Sequence, residues 1–314
     1  MFINALGYYV PAERVRNEDF LELNGLTSEW IEQRTGIMSR SKAGAEENAH
    51  TMGLAAAKDA LSKLEYPAQE IDLVVAASYS PLDTVATLAH VAQREFDLPQ
   101  AKALYLSSAC SSLVNGLEVI EGYFAMGKAS KALLICSEHN TYYSNPSDPK
   151  AGHLWGDAAV AFVISKERQS ETEPQILDVF TRGLGHIGKG PEGVCLRPKE
   201  EGITMPDGRD VFMHACKYMI DALENLVANN QLQLDDLTYI ITHQANKRIV
   251  ANVAHQLKRE PETFLNNIEE FGNTGSASTG LVMAQQYDTF KKGDLVGLCV
   301  FGGGYSSGGF LVKF

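Results

Sequence analysis

Apolar residues along the chain fall into two kinds of run. Short continuous stretches at 73–77, 103–106, 132–136, 158–164, 239–241 and 295–301 read as strands buried on both faces. Between them the spacing lengthens to a helical period. Leu113, Leu117, Ile120 and Phe124 share one face, and Ile249, Val253 and Leu257 share another. Strand and helix patterns alternate throughout, which predicts an α/β fold with mostly parallel sheets.

The two halves of the pattern echo each other. Ile71-Asp72-Leu73-Val74-Val75 follows a helical stretch, and so does Leu237-Thr238-Tyr239-Ile240-Ile241. Residues 127–138 and 292–303 both read as a polar turn followed by a buried strand. Either the chain is duplicated or this is the ordinary echo of any α/β protein. Residues 166–174 are polar and have the composition of a mid-chain linker, which divides the chain into 1–165 and 166–314. The Gly- and Pro-rich stretch 183–208 reads as a long loop, and long loops in compact domains are often functional.

Composition narrows the class. The chain has 314 residues, 45% of them hydrophobic, enough for a large core. Its net charge of −12 argues against a nucleic-acid binder, which needs clustered cations, but leaves room for a local basic patch. There is no apolar run of membrane-spanning length and no signal-peptide pattern at Met1-Phe2-Ile3-Asn4. The five cysteines (Cys110, Cys136, Cys195, Cys216 and Cys299) are odd in number and form no metal-like pair. These features predict a cytoplasmic protein with reduced thiols and no metal.

Cys110 follows a buried strand and begins the helix bearing Leu113 and Leu117, where a helix N-terminus lowers a thiol pKa. On its own it reads more readily as a small core cysteine. His243 closes a strand just before a helix, at the strand end where α/β proteins place ligands, or as a histidine satisfied by backbone. Asn273 lies in the turn-like Gly272-Asn273-Thr274-Gly275. Gly302-Gly303-Gly304 is either a bare turn or a place where backbone amides approach a ligand.

The blocks Glu29-Trp30-Ile31-Glu32-Gln33-Arg34-Thr35-Gly36-Ile37, Ala109-Cys110-Ser111, Trp155-Gly156-Asp157, Gly208-Arg209-Asp210-Val211-Phe212, His243-Gln244-Ala245-Asn246, Gly272-Asn273-Thr274 and Phe301-Gly302-Gly303-Gly304 follow one another in order. In them the chain resembles the β-ketoacyl-acyl-carrier-protein synthase III enzymes over nearly its whole length. The resemblance implies a thiolase-like fold of two pseudo-duplicated α-β-α-β-α halves, assembled as a homodimer, performing decarboxylative Claisen condensation.

In such an enzyme Cys110 carries the acyl group as a thioester. The amides of Cys110 and Gly303 form an oxyanion hole, and His243 and Asn273 donate hydrogen bonds to the malonyl-type thioester oxygen. No cofactor is implied beyond coenzyme A or phosphopantetheine thioesters as substrates. A degradative thiolase would carry a second cysteine where Val300 aligns, and an elongating ketosynthase a second histidine where Asn273 stands.

The resemblance also assigns Trp30 and Arg34 to the adenine of coenzyme A, with Lys150 in place of a family arginine. It places Arg209 and Asn246 on the substrate path, and Val85 at a position that limits chain length across the dimer. Lys247, Arg248 and Lys258, with Arg259, Arg209 and Lys217, read as a solvated helix face or as a docking patch for an acidic acyl carrier protein.

Ser111-Ser112, Gly156-Asp157-Ala158-Ala159-Val160, Lys150, Tyr305-Ser306-Ser307 and Val85 depart from the family pattern. They predict an acyl channel reshaped away from acetyl priming. The alternatives are a secondary-metabolism synthase joining longer acyl or β-ketoacyl thioesters, of resorcinol or polyene type, and an inactive scaffold subunit.

Overall fold

The apolar runs all become strands. A computed structural model describes every residue from Met1 to Phe314. Its principal strands are β1 (Phe2–Tyr9), β2 (Leu73–Ala77), β3 (Lys102–Leu106), β4 (Lys131–Glu138), β5 (Ala158–Ser165), β6 (Gln175–Gly183), β7 (Tyr239–Thr242), β8 (Leu295–Gly302) and β9 (Ser306–Lys313). The helices that matter for the site are α1 (Ser28–Thr35), α2 (Ala49–Leu61), α3 (Leu88–Glu95), α4 (Ser112–Ala125), α5 (Gly208–Asn229), α6 (Lys247–Leu257) and α7 (Ser278–Gln285).

The strands run in the order β7-β8-β9-β6-β1-β5-β4-β2-β3. Read outward from the middle, β1-β5-β4-β2 and β6-β9-β8-β7 repeat one arrangement, with the same antiparallel, antiparallel, parallel directions. The two sets meet where Phe2 pairs with Gln175.

The expectation of mostly parallel sheets is corrected here. Only β2/β3, β2/β4 and β7/β8 are parallel. The last strand of each set returns antiparallel, β9 through the tight turn after Gly302.

Strand alternation sorts side chains into layers. Leu73, Val75, Ala132, Leu134, Val160, Phe162, Val296 and Leu298 face inward onto α4 and α7. Val74, Ala76, Leu133, Ile135, Ala161 and Val163 face outward onto α2 and α3. On the other side Leu295, Cys299 and Phe301 pack outward under α5. The result is helix, sheet, helix, sheet, helix, with strands buried on both faces.

Residues 166–174 form a mostly exposed connection between β5 and β6. The stretch 183–208 is largely loop, as expected, but folds a small hairpin, Cys195–Arg197 against Gly202–Thr204. No helix is long and apolar enough to cross a membrane.

Candidate active site

The chain between β3 and α4 makes a sharp turn, with Ala109 in the left-handed region at φ +50°. Ser112 Oγ accepts from the Ser108 amide (2.8 Å) and donates to Ala109 O (2.6 Å), and this stiffens the turn. Cys110 is left buried at the N-terminal end of α4. The turn following β8 closes over it. A Cβ on Gly302 would lie 2.8 Å from the Cys110 nitrogen, so only glycine fits there. Neither the Cys110 amide nor the Gly303 amide donates to a backbone carbonyl. Ser306 Oγ ties the two turns together, bonding Ser111 Oγ (2.9 Å) and Ser108 O (3.2 Å).

His243 follows β7, its amide donating to Cys299 O (2.8 Å). Burial pushes its imidazole down to about 4, so the ring is neutral near pH 7. Its Nδ1 lies 2.7 Å from Ser278 Oγ at the start of α7. Asn273 is held by its amide to Leu154 O (2.8 Å), and its carbonyl accepts from Gly156 N and Asn140 Nδ2. Its Oδ1 accepts the Gly275 amide (3.0 Å), which leaves Nδ2 as a free donor.

These three residues line one cavity of about 160 Å³. Its walls are apolar, with Val194, Leu196, Ile203 and Met205 from the 183–208 loop and Val211 and Met219 from α5. That loop thus contributes directly to the site.

At Cys110 burial prevails over the helix end. Burial and then the charge of Glu138 push the thiol up to about 12, against the opposing pull of the nearby Tyr79 hydroxyl and the thiol's own amide. The expectation of a lowered thiol is corrected, since burial outweighs the helix terminus. Glu138 is itself fully buried. Its carboxyl accepts from Ser78 Oγ and from the amides of Tyr79 and Ser80, with further hydroxyls from Ser80 and Ser276. Burial still lifts it to about 7.

A second cavity of about 550 Å³ opens outward and shares Met205, Val211, Ala245, Ile249 and Asn273 with the inner one. Trp30, Arg34, Lys150, Arg209, Asn246 and Arg248 gather around this mouth. Arg34, Lys150, Arg209 and Arg248 have no carboxylate in salt-bridge range, a concentration of free cations on a chain of charge −12. The Arg34 guanidinium lies 5.7 Å from the Trp30 ring centre, and His153 meets the same ring edge-on at 5.6 Å. Asn246 Oδ1 caps α6 by accepting from Arg248 N (2.8 Å), and its Nδ2 reaches Arg34 O (3.1 Å).

Other expected site residues lie elsewhere. Lys247 pairs with Glu269. Lys258 ends α6, about 16 Å along the helix axis from its start. Arg259 holds the carbonyls of Leu234 (2.8 Å) and Leu237 (2.6 Å), a structural role. Lys217 lies against the Tyr218 ring. Val85 is 86% exposed and lines neither cavity. Ser111, Ser112 and Ser306 point their hydroxyls into the turns and do not line the cavity, so they do not reshape it.

Ser278 and Tyr79 escaped the sequence reading. Ser278 stands in the small-residue run after Asn273, the type of residue that orients a neighbouring ring. Nothing local marks Tyr79. A more open cleft of about 700 Å³ lies away from Cys110, lined by polar groups such as Glu13, Lys42 and Glu47. No group of three or more His, Cys, Asp or Glu side chains could hold a metal ion.

Residues 105–185 match the family model for 3-oxoacyl-[acyl-carrier-protein] synthase III, and residues 227–314 match the model for its C-terminal part. The β-ketoacyl-[acyl-carrier-protein] synthase III of Helicobacter pylori is 32% identical, the alignment covering 99% of this chain and 97% of that one. The Clostridium kluyveri enzyme of the same name is 30% identical, covering 99% and 98%. Among solved structures, the synthase III of Aquifex aeolicus superposes with a TM-score of 0.92 at 28% identity, covering 100% and 99%. A priming β-ketosynthase of a polyketide pathway gives 0.90 at 27% identity, covering 99% and 95%.

Proposed function

The chain belongs to the 3-oxoacyl-[acyl-carrier-protein] synthase III family, thiolase-fold acyltransferases that catalyse decarboxylative Claisen condensation in fatty-acid or polyketide synthesis, and we propose how its own residues perform that reaction. Cys110 attacks the acyl thioester, and the amides of Cys110 and Gly303 receive the oxyanion of the tetrahedral intermediate. Collapse expels the leaving thiol, which takes the proton that Cys110 gives up, and leaves an acyl-Cys110.

A malonyl-type thioester then enters through the outer mouth. His243 Nε2 and Asn273 Nδ2 donate to its thioester oxygen as carbon dioxide leaves. Neither donor carries a negative charge to repel the enolate, whose carbon attacks the acyl group on Cys110. Collapse of that tetrahedral intermediate breaks the acyl–sulfur bond and releases the β-ketoacyl thioester. It returns the Cys110 thiolate, which regains a proton from solvent.

One observation carries this reading. Cys110, His243 and Asn273 reach a single cavity from three separate chain segments, each with its reacting atom or donor uncommitted. Two of them come from residues 166–314 and one from 1–165, so the two halves are incomplete sites apart. The free cations Arg34, Lys150, Arg209 and Arg248 suit the phosphates of coenzyme A or of a carrier's phosphopantetheine. Arg248 is the cation best placed to receive an acyl carrier protein.

The working form is a cytoplasmic homodimer. Leu82, Val85 and Tyr142 are large exposed apolar side chains, with Leu82 and Tyr142 on the rim of the open cleft and Val85 on the same loop as Leu82. A second copy there would bring Val85 to its partner's acyl channel.

A second reading, priming by an acyl group other than acetyl, rests on Lys150 and Val85. A Lys lacks the planar fork of Arg, which weakens an adenine clamp. Both readings are tested by intact mass spectrometry after exposure to acetyl-, hexanoyl-, octanoyl- and β-ketoacyl-thioesters in competition. A mass gain that disappears in Cys110→Ala supports the nucleophile. A gain that persists in Cys110→Ala overturns it. Acetyl-coenzyme A winning by about tenfold or more would retire the second reading.

A further inference from the structure

Tyr79 lies just past the end of β2, and its ring lines the same cavity as Cys110. Its hydroxyl is buried, lies near the side chains of Cys110 and Asn140, and makes no well-formed hydrogen bond with either. An orphaned hydroxyl in an apolar site is destabilising unless some state of the protein satisfies it. The surroundings are shaped to keep it there. Gly275 stands in the left-handed region at φ +60°, and a Cβ on it would fall 2.5 Å from the Tyr79 hydroxyl oxygen. The glycine that turns the chain beyond Asn273 therefore also clears the space that this hydroxyl fills.

We propose that Tyr79 is a catalytic residue of the first half-reaction, its hydroxyl donating a hydrogen bond to the Cys110 sulfur as that sulfur becomes a thiolate. The inference rests on Cys110 being the nucleophile. A neutral thiol is a weak acceptor, so the resting pair is only loosely engaged. Once the sulfur carries charge, the same hydroxyl makes a charge-assisted bond about twice as strong as a neutral one. The Tyr79 proton stays on its oxygen throughout. The proton released by Cys110 ends on the departing thiol, so the step balances without a base.

The site has few other ways to support a buried thiolate. Every titratable group facing the sulfur is accounted for. Glu138 opposes the charge, His243 is neutral, and Cys195, which also lines the cavity, carries no positive charge in either form. No Lys or Arg lines this cavity. The helix end of α4 and one hydroxyl are what remain, and Tyr79 is the only side chain that draws the thiol down. Acylation removes the charge and releases the hydroxyl, so the effect is confined to formation of the acyl-enzyme.

The test titrates Cys110 directly, by its iodoacetamide alkylation rate across pH, with Cys110→Ala as the blank that assigns the signal. Tyr79→Phe deletes one oxygen and keeps the ring in its packing. Its alkylation midpoint is expected to rise by about one pH unit or more, slowing alkylation near pH 8 about tenfold. Replacing Tyr79 by 3,5-difluorotyrosine, a stronger donor of the same shape, is expected to move the midpoint down. A merely structural tyrosine would not give shifts of opposite sign. Equal midpoints in parent, Tyr79→Phe and the fluorinated protein overturn the inference while leaving Cys110 as nucleophile. Alkylation that survives in Cys110→Ala would overturn the nucleophile itself.

Discussion

His243 and Ser278 face each other across 2.7 Å, imidazole Nδ1 to hydroxyl oxygen. The Ser278 oxygen already accepts the Gln244 amide at 3.4 Å, so its own proton is free to point at Nδ1. That arrangement puts the ring proton on Nε2, the nitrogen available to the cavity, and makes His243 a donor. Ser278→Ala should therefore leave self-acylation intact and slow decarboxylation about tenfold or more, because the tautomer is no longer held. Ser278→Thr should restore it. Equal decarboxylation rates for parent and Ser278→Ala would show that the hydroxyl does not set the ring.

Asn273→Ala should separate the half-reactions. Acyl-enzyme should still form, while condensation falls by about 10²–10³, the usual cost of one lost oxyanion-type donor. Rapid-quench measurement of both steps reads this directly, and unchanged condensation would remove Asn273 from the mechanism.

The carrier surface should be narrower than the run of cations after His243 suggests. Arg248→Glu is expected to raise KM for carrier-bound substrate far more than for a small thioester analogue. Lys258→Glu should change neither, because Lys258 lies at the far end of α6. Equal effects of the two substitutions would place the docking surface along the whole helix.

Glu138 makes a prediction about pH. Its carboxyl ionises near 4.5 in the unfolded chain and about 7 in the folded one. The folded state is favoured below pH 4.5, and that advantage is lost as pH rises through 7. Between those limits the loss is on the order of 3 kcal/mol. His243 and His153, both pushed down to about 4 by burial, act in the opposite sense between about 4 and 6.5. Comparison with Glu138→Gln isolates the carboxyl. The variant should be destabilised at pH 5, where its amide mismatches the surrounding donors, and should recover relative to the parent by pH 8. Denaturant unfolding at the two pH values checks this, and a constant difference would refute it.

Six strands were legible because burial on both faces makes them continuous apolar runs. β6 was not, because it is only partly buried and carries polar residues such as Asp178 and Thr181, and β1 and β9 were not, because glycine replaces bulk where backbones or helices come close. Gly7 in β1 leaves no room for a Cβ beside Ala56 O (2.3 Å), and Gly309 in β9 none beside Leu298 O (2.4 Å). Cys110, His243 and Asn273 were legible through their sequence blocks, whereas Ser278 and Tyr79 matter only through space. Arg259 shows the reverse error, a cation that looked free in sequence and is engaged with loop carbonyls in the fold.

The close fit of Tyr79 against Gly275 has an evolutionary corollary. Neither residue tolerates the other's replacement by something larger, so the two sites should drift as a pair across descendants of a common ancestor. Lineages with a bulky aromatic at the first should hold glycine at the second. Lineages with a small residue at the first should admit at the second only residues such as asparagine or aspartate that tolerate a left-handed backbone. A chimera exchanging only one of the two between such lineages would be the poorer enzyme in either direction, and exchanging both should restore it.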